Sequence, residues 1–255
     1  LQTAAQKLLE ETCDGKNKVL VVPTDVTDFA ACQAAIDTTV AKFGRVDAIA
    51  NCAGMSIPKT FEDLTADEWD RQYRVNVLGS RNATRAALPQ VKRHGNGRVL
   101  LTSSMAGQAS FYGFTSYSST KFALLGFAQA LQSEVLPDGV RVSVMYPPDT
   151  DTPGFARENT HKPAITAKLS EGGGLFTPEQ VAANMVDGME AGDFGIFVGF
   201  DGHVLGYLAA GFSPGTPWQV LLQATCMGVL RLVSYGYVLF HNSVVAAGVK
   251  KFKAQ

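Results

Sequence analysis

Apolar positions along this chain fall into short continuous runs separated by stretches of helical spacing. KVLVV (18–22), VDAIA (46–50), RVLLT (98–102), VRVSVM (140–145) and FGIFVGF (194–200) are predominantly apolar runs of strand length. Such runs predict strands buried on both faces of a parallel sheet. Between them, Phe29, Cys32, Ile36, Val40 and Phe43 keep the spacing of one helix face. Thr65 with Glu68, and Thr177 with Gln180, have the form of capping boxes opening two further helices. A long helix carrying Tyr117 and Lys121 is predicted to stop at Pro137-Asp138-Gly139, and Leu1, Ala5, Leu8 and Leu9 read as the tail of a helix ended by Asp14-Gly15. Strands alternating with helices predict an α/β fold, a doubly wound parallel sheet of Rossmann type built from βαβ units.

A length of 255 residues with 46% hydrophobic content suffices for one α/β domain, predicted over residues 1–200, with an apolar extension over 201–255. A formal net charge of −1 and the lack of a basic stripe before the final six residues exclude a nucleic-acid binder. Four cysteines, Cys13, Cys32, Cys52 and Cys226, are scattered without metal-ligand spacing, so neither a metal site nor a disulfide framework is expected.

Chemistry concentrates after the predicted strands. Asp25 follows the first, Asn51-Cys52-Ala53-Gly54 the second, Ser104 the third, and Pro147-Pro148-Asp149-Thr150-Asp151-Thr152 the fourth. In open parallel sheets that edge is where ligands bind. Tyr117 and Lys121, four apart on a helix, share a face, so an ammonium can sit beside a phenol and favour its ionised form. That pairing makes a proton donor.

The set NCAG (51–54), NVLG (76–79), SSMAG (103–107) and Tyr117-Ser118-Ser119-Thr120-Lys121 resembles the short-chain dehydrogenase/reductase family over residues 1 to about 200. The resemblance implies an NADPH-dependent oxidoreductase with catalytic Asn76, Ser104, Tyr117 and Lys121. Tyr117 would protonate a carbonyl oxygen, Ser104 would hydrogen-bond it, Lys121 would hold the ribose and lower the Tyr117 pKa, and Asn76 would position a relay water. It also implies cofactor contacts from Asp25 to the adenine, from Asn51, Ala53 and Gly54 on the adenosine-ribose side, from Tyr117 and Lys121, and from Thr150 and Thr152 at the nicotinamide end. Within the family, YPPDTDTPGF (146–155), FYGFTSYSSTKFA (111–123) and CMGVLR (226–231) are similar to reductases of 3-ketodihydrosphingosine, which implies a long-chain sphingoid ketone as substrate. A steroid or retinoid carbonyl, or a non-catalytic remnant of the fold, are the alternatives.

Two features stand apart. The family's glycine-rich TGxxxGxG turn does not occur in this sequence, and Gly172-Gly173-Gly174 follows a loop rather than a strand. Residues 202–230 and 232–249 lack Asp, Glu, Lys and Arg, with Arg231 between them. Pro214 and Pro217 interrupt the first run, so the expectation is an interfacial or re-entrant membrane segment, or else the interface helix of a homo-oligomer, and not a clean span. Lys251 and Lys253 near the terminus resemble a retrieval signal of endoplasmic reticulum membrane proteins, implying a catalytic domain that faces the cytosol.

Overall fold

The computed structural model describes residues 19–170 and 174–253, with side chains to 249. The predicted helix at Leu1–Cys13, Gly172-Gly173 and the side chains of the terminal lysines lie outside them.

Four parallel strands form one sheet in the order β1-β2-β3-β4: Ala48–Asn51, Arg98–Thr102, Arg141–Tyr146 and Gly195–Phe197. Each crossover is helical. Helix α1 (Phe29–Phe43) precedes β1, while α2 (Ala66–Tyr73), a π-helical turn (Arg74–Gly79) and α3 (Ser80–Val91) join β1 to β2. Helix α4 (Thr115–Val135) joins β2 to β3. The β3–β4 connection holds α5 (Pro153–Asn159), α6 (Ala164–Ser170) and α7 (Pro178–Ala191), and α8 (Gly199–Leu208) and α9 (Pro217–Lys253) follow β4.

The period of two along each strand assigns the faces. Val99 and Leu101, Val142 and Val144 pack with Ala87 and Val91 of α3 and with Ala128, Leu131 and Val135 of α4. The alternate residues Leu100, Met145 and Ile196 pack on the other face against Val181, Met185 and Met189 of α7. Apolar runs are therefore needed, because each strand is covered twice. Gly188 lets α7 come down on β4, since a Cβ there would lie 2.6 Å from Ile196 Cγ1.

Local signals place the helix ends. Thr65 and Thr177 both make full capping boxes, and Asp28 caps α1 by accepting from the Ala30 and Ala31 amides. Gly44 and Gly139, both left-handed, end the helical segments before β1 and β3.

Three expectations change. The described part of KVLVV, 19–22, forms no strand: it has no sheet partner among the described residues, and an apolar run becomes a strand only when a neighbour takes its hydrogen bonds. FGIFVGF gives only the three residues of β4, because left-handed Gly199 turns the chain into α8. The apolar tail after Pro214 is one helix of 37 residues, since Pro217 sits at its first position, where proline costs nothing.

Candidate functional site

The strand ends converge on a cavity of about 1140 Å³. Ser104 reaches it because the β2–β3 pairing continues past the strands: the Ser103 amide donates to Met145 O at 2.8 Å and the Met105 amide to Pro147 O at 3.1 Å. Ser104 Oγ then caps a short 3₁₀ turn, accepting from the Ala106 amide at 3.1 Å. Helix α4 is drawn against this turn. Ser103 Oγ donates to Lys121 O at 2.9 Å, and Gly107 packs so closely that a Cβ there would collide with Ser103 Oγ and lie 3.0 Å from Lys121 O.

That contact sets Tyr117 and Lys121 beside Ser104 on the cavity wall. Lys121, only 5% exposed, donates from Nζ to Thr102 O at 2.8 Å, and Nζ lies 5.5 Å from the centre of the Tyr117 ring. Burial pushes the ammonium down to about 8. Burial raises the Tyr117 phenol, the Ser104 hydroxyl draws it partway back, and the carboxylates of Glu158 and Asp149 raise it further. The phenol stays raised overall, with the Ser104 hydroxyl as the group that draws it down.

Asn76 lies in the π-helical turn, 1% exposed. Its Oδ1 accepts from the Met55 amide at 2.8 Å, and its Nδ2 donates to Met55 O at 2.9 Å and Thr120 Oγ1 at 3.0 Å. It thereby clamps the loop after β1 to α4. Gly54 in that loop leaves an open niche, where a Cβ would lie 3.6 Å from Lys121 Nζ.

Of the proposed cofactor contacts, Gly54, Tyr117, Lys121, Thr150 and Thr152 line the cavity together with Pro147 and Pro148. The structure does not bring Asp25, Asn51 and Ala53 to that lining. Asn51 is buried, its Nδ2 donating to Thr84 Oγ1 and Leu100 O, both at 3.0 Å. Asp25 is exposed and accepts from the Thr27 amide and hydroxyl, which hold its carboxyl below the usual range. Its loop is held by Asn82, which donates to Val26 O at 3.0 Å, an anchor that spacing gave no means to find. A reduced nicotinamide and its ribose fit the residues present: a buried ammonium beside a side-chain-free niche, flanked by the Thr150–Thr152 loop.

Sequence reasoning missed Met55, Ile57 and Leu169 as lining residues. Met55 and Ile57 are brought in by the loop after β1 and Leu169 by α6, placements for which the sequence holds no periodic signal. Of the aromatic residues around the catalytic loop, Phe111, Phe114 and Phe155 line the cavity, whereas Phe176 packs beside Met145 and Ile196. Above the cavity, α6 is tied down by Thr166, whose hydroxyl donates to Tyr112 O at 2.8 Å, next to Gly113 at φ +83°. A side chain at Gly113 would strike Thr166 Oγ1.

Helix α9 touches this body near both ends. It meets α8, while farther on the His241 ring stands 5.1 Å from Phe111, Val244 is buried, and Gly248 abuts Ile165 of α6. Along it, Trp218, Leu221, Leu232, Tyr235, Leu239 and Phe240 are all exposed.

The profile of the family described as short chain dehydrogenase matches residues 1–163. The chain is 41% identical to a 3-ketodihydrosphingosine reductase of Bos taurus over 247 residues, covering 96% of this chain and 74% of that protein. It is also 41% identical to a 3-dehydrosphinganine reductase of Danio rerio over 244 residues, 94% of this chain and 74% of the relative. Among solved structures, it resembles a 3-ketoacyl-(acyl-carrier-protein) reductase of Brucella melitensis complexed with NADH, at TM-score 0.64 and 25% identity, with 75% of this chain and 78% of that one covered.

Proposed function

This chain belongs to the short-chain dehydrogenase family of oxidoreductases, and on that premise we propose that it reduces 3-ketodihydrosphingosine to dihydrosphingosine with NADPH. The observation that carries the reading is the arrangement of Ser104, Tyr117 and Lys121 on one cavity wall at the strand ends. A reduced nicotinamide bound there supplies the hydride. Tyr117 gives its phenolic proton to the carbonyl oxygen, so that ketone, hydride and proton together make the alcohol. Ser104 donates to the same oxygen and stabilises the charge developing on it. Lys121, turned toward the Gly54 niche, holds the nicotinamide ribose, and Thr150 and Thr152 flank the nicotinamide.

Asn76 acts here as a positioning residue. Both of its amide groups are already engaged, so a relay water would meet its side chain at the second lone pair of Oδ1. The apolar residues Met55, Ile57, Phe111, Phe155 and Leu169 support the acyl tail. We place the protein at the endoplasmic reticulum membrane with its catalytic domain toward the cytosol. Within Pro217–Val249 an 18-residue window reaches a mean hydropathy of 1.3 and is 6% buried, which supports the membrane part of that reading.

The test is reduction of 3-ketodihydrosphingosine by the whole protein with NADPH and with NADH, the product identified by mass spectrometry. We expect dihydrosphingosine, faster with NADPH, and a fall of about 10² to 10⁴ in kcat for Tyr117→Phe, the usual worth of a general acid. Activity of that variant within tenfold of wild type removes Tyr117 from the mechanism. Turnover of a steroid ketone but not of the sphingoid ketone overturns the substrate assignment.

A further inference from the structure

The corner of the cavity facing Tyr117 carries charge that ketone reduction by itself does not use. Asp149, three residues past the end of β3, lines the cavity, and so does Glu158 on α5. Both act on the Tyr117 phenol. Glu158 has a partner: Lys162, four residues further on in the connection to α6, reaches it at 3.0 Å, with side chains 14% and 3% exposed. Lys162 is fixed in turn by aromatic rings, its Nζ lying 4.8 Å from the centre of Phe155 and 6.0 Å from that of Phe114.

Asp149 has no such partner. Among the described residues its carboxylate accepts no hydrogen bond, and burial together with Glu158 raises it while Lys162 draws it down. Arg157 and His161, also on the rim, are exposed, so water screens them. The buried ammonium of Lys121 is turned away to Thr102 O and does not act on Asp149, so around Asp149 two carboxylates stand against the one ammonium of Lys162, partly withdrawn from water. An uncompensated charge there is costly, and one further cation removes the cost.

The substrate named above has that cation. In a 2-amino-3-ketone the ammonium sits on the carbon next to the carbonyl, so an oxygen placed on Ser104 and Tyr117 puts it in the same corner. We propose that Asp149 is the counter-charge for this ammonium and makes the enzyme select 2-amino ketones over neutral ketones of equal length. The inference rests on the proposed reduction of a sphingoid ketone. It has a catalytic consequence as well: a bound ammonium offsets the carboxylates that oppose charge on the Tyr117 oxygen. The amine therefore raises kcat in addition to lowering KM.

The experiment compares kcat/KM of the whole protein for 3-ketodihydrosphingosine and for 1-hydroxy-3-octadecanone, which lacks the amine. The ratio is internal to each sample, so a variant that folds incompletely still reports it. Wild type is expected to favour the amino ketone by about a hundredfold, the scale set by leaving a desolvated charge unpaired. Asp149→Asn lowers that ratio at least tenfold. Asp149→Glu, which keeps the charge, and Asp151→Asn, on the exposed side of the loop, hold it within threefold. An undiminished ratio in Asp149→Asn overturns the proposal, and so does an equal loss in Asp149→Glu. Reduction of both ketones at equal efficiency by wild type sinks the role of Asp149 alone; reduction of neither sinks the substrate assignment with it.

Discussion

Lys121→Met in the cofactor-free protein is expected to raise thermal stability while removing activity. The ammonium is buried against Thr102 O, and burial takes its pKa from the usual 10.5 to about 8. At about 1.36 kcal/mol per pH unit, holding the charged form there costs the fold about 3 kcal/mol. Methionine keeps much of the side-chain shape and carries no charge, but it leaves Thr102 O without its donor, which returns about 1 to 2 kcal/mol of the gain. A net stabilisation of about 1 to 2 kcal/mol follows, or about 3 to 6 °C in Tm for a chain of this size.

The sign and the pH window follow from the lowered folded value. Below pH 8 the lysine is charged in both states and wild type bears the whole cost. Between about 8 and 10.5 the unfolded chain binds the extra proton, so wild-type stability rises with pH and the advantage of the variant fades. Scanning calorimetry of both proteins from pH 6.5 to 9.5 reads this directly. A variant that melts below wild type at pH 7, or a difference that does not narrow as pH rises, refutes the reasoning.

Gly107→Ala drives a methyl group into Ser103 Oγ and the Lys121 backbone, so we expect a loss of about 1 to 3 kcal/mol together with a fall in kcat as α4 shifts. Urea denaturation beside steady-state rates checks both, and an unchanged midpoint removes the close approach from the account. Deleting 217–255 is expected to move the protein from the membrane to the soluble fraction after cell fractionation, because α9 exposes apolar side chains around its circumference. Release of the undeleted protein by 1 M salt alone would show that attachment is electrostatic.

Much of the architecture was set by local rules. Capping boxes at Thr65 and Thr177, the left-handed glycines after α1 and before β3, and apolar runs of strand length act within a few residues, so the alternation of helices and strands from α1 to β3, and the start of α7, was legible in the chain itself, whereas the short helices α5 and α6 in the β3–β4 connection carry no such periodic signal. The Tyr117 and Lys121 pair was legible for the same reason, since helix geometry alone brings side chains four apart together. Tertiary structure decided what depends on distant partners. KVLVV has the composition of a strand and remains unpaired among the described residues, because hydrogen bonds come from neighbours and not from composition. Asn51, expected beside the cofactor, and Asn76, expected to position a relay water, are seen only in the structure to act also as fasteners, one tying β1 to α3 and β2, the other tying the Met55 loop to α4. The charge around Asp149 likewise emerges only once α5 and the segment after it place Glu158 and Lys162 where both act on it. Charge balance in a cavity is a sum over groups that only the fold brings together.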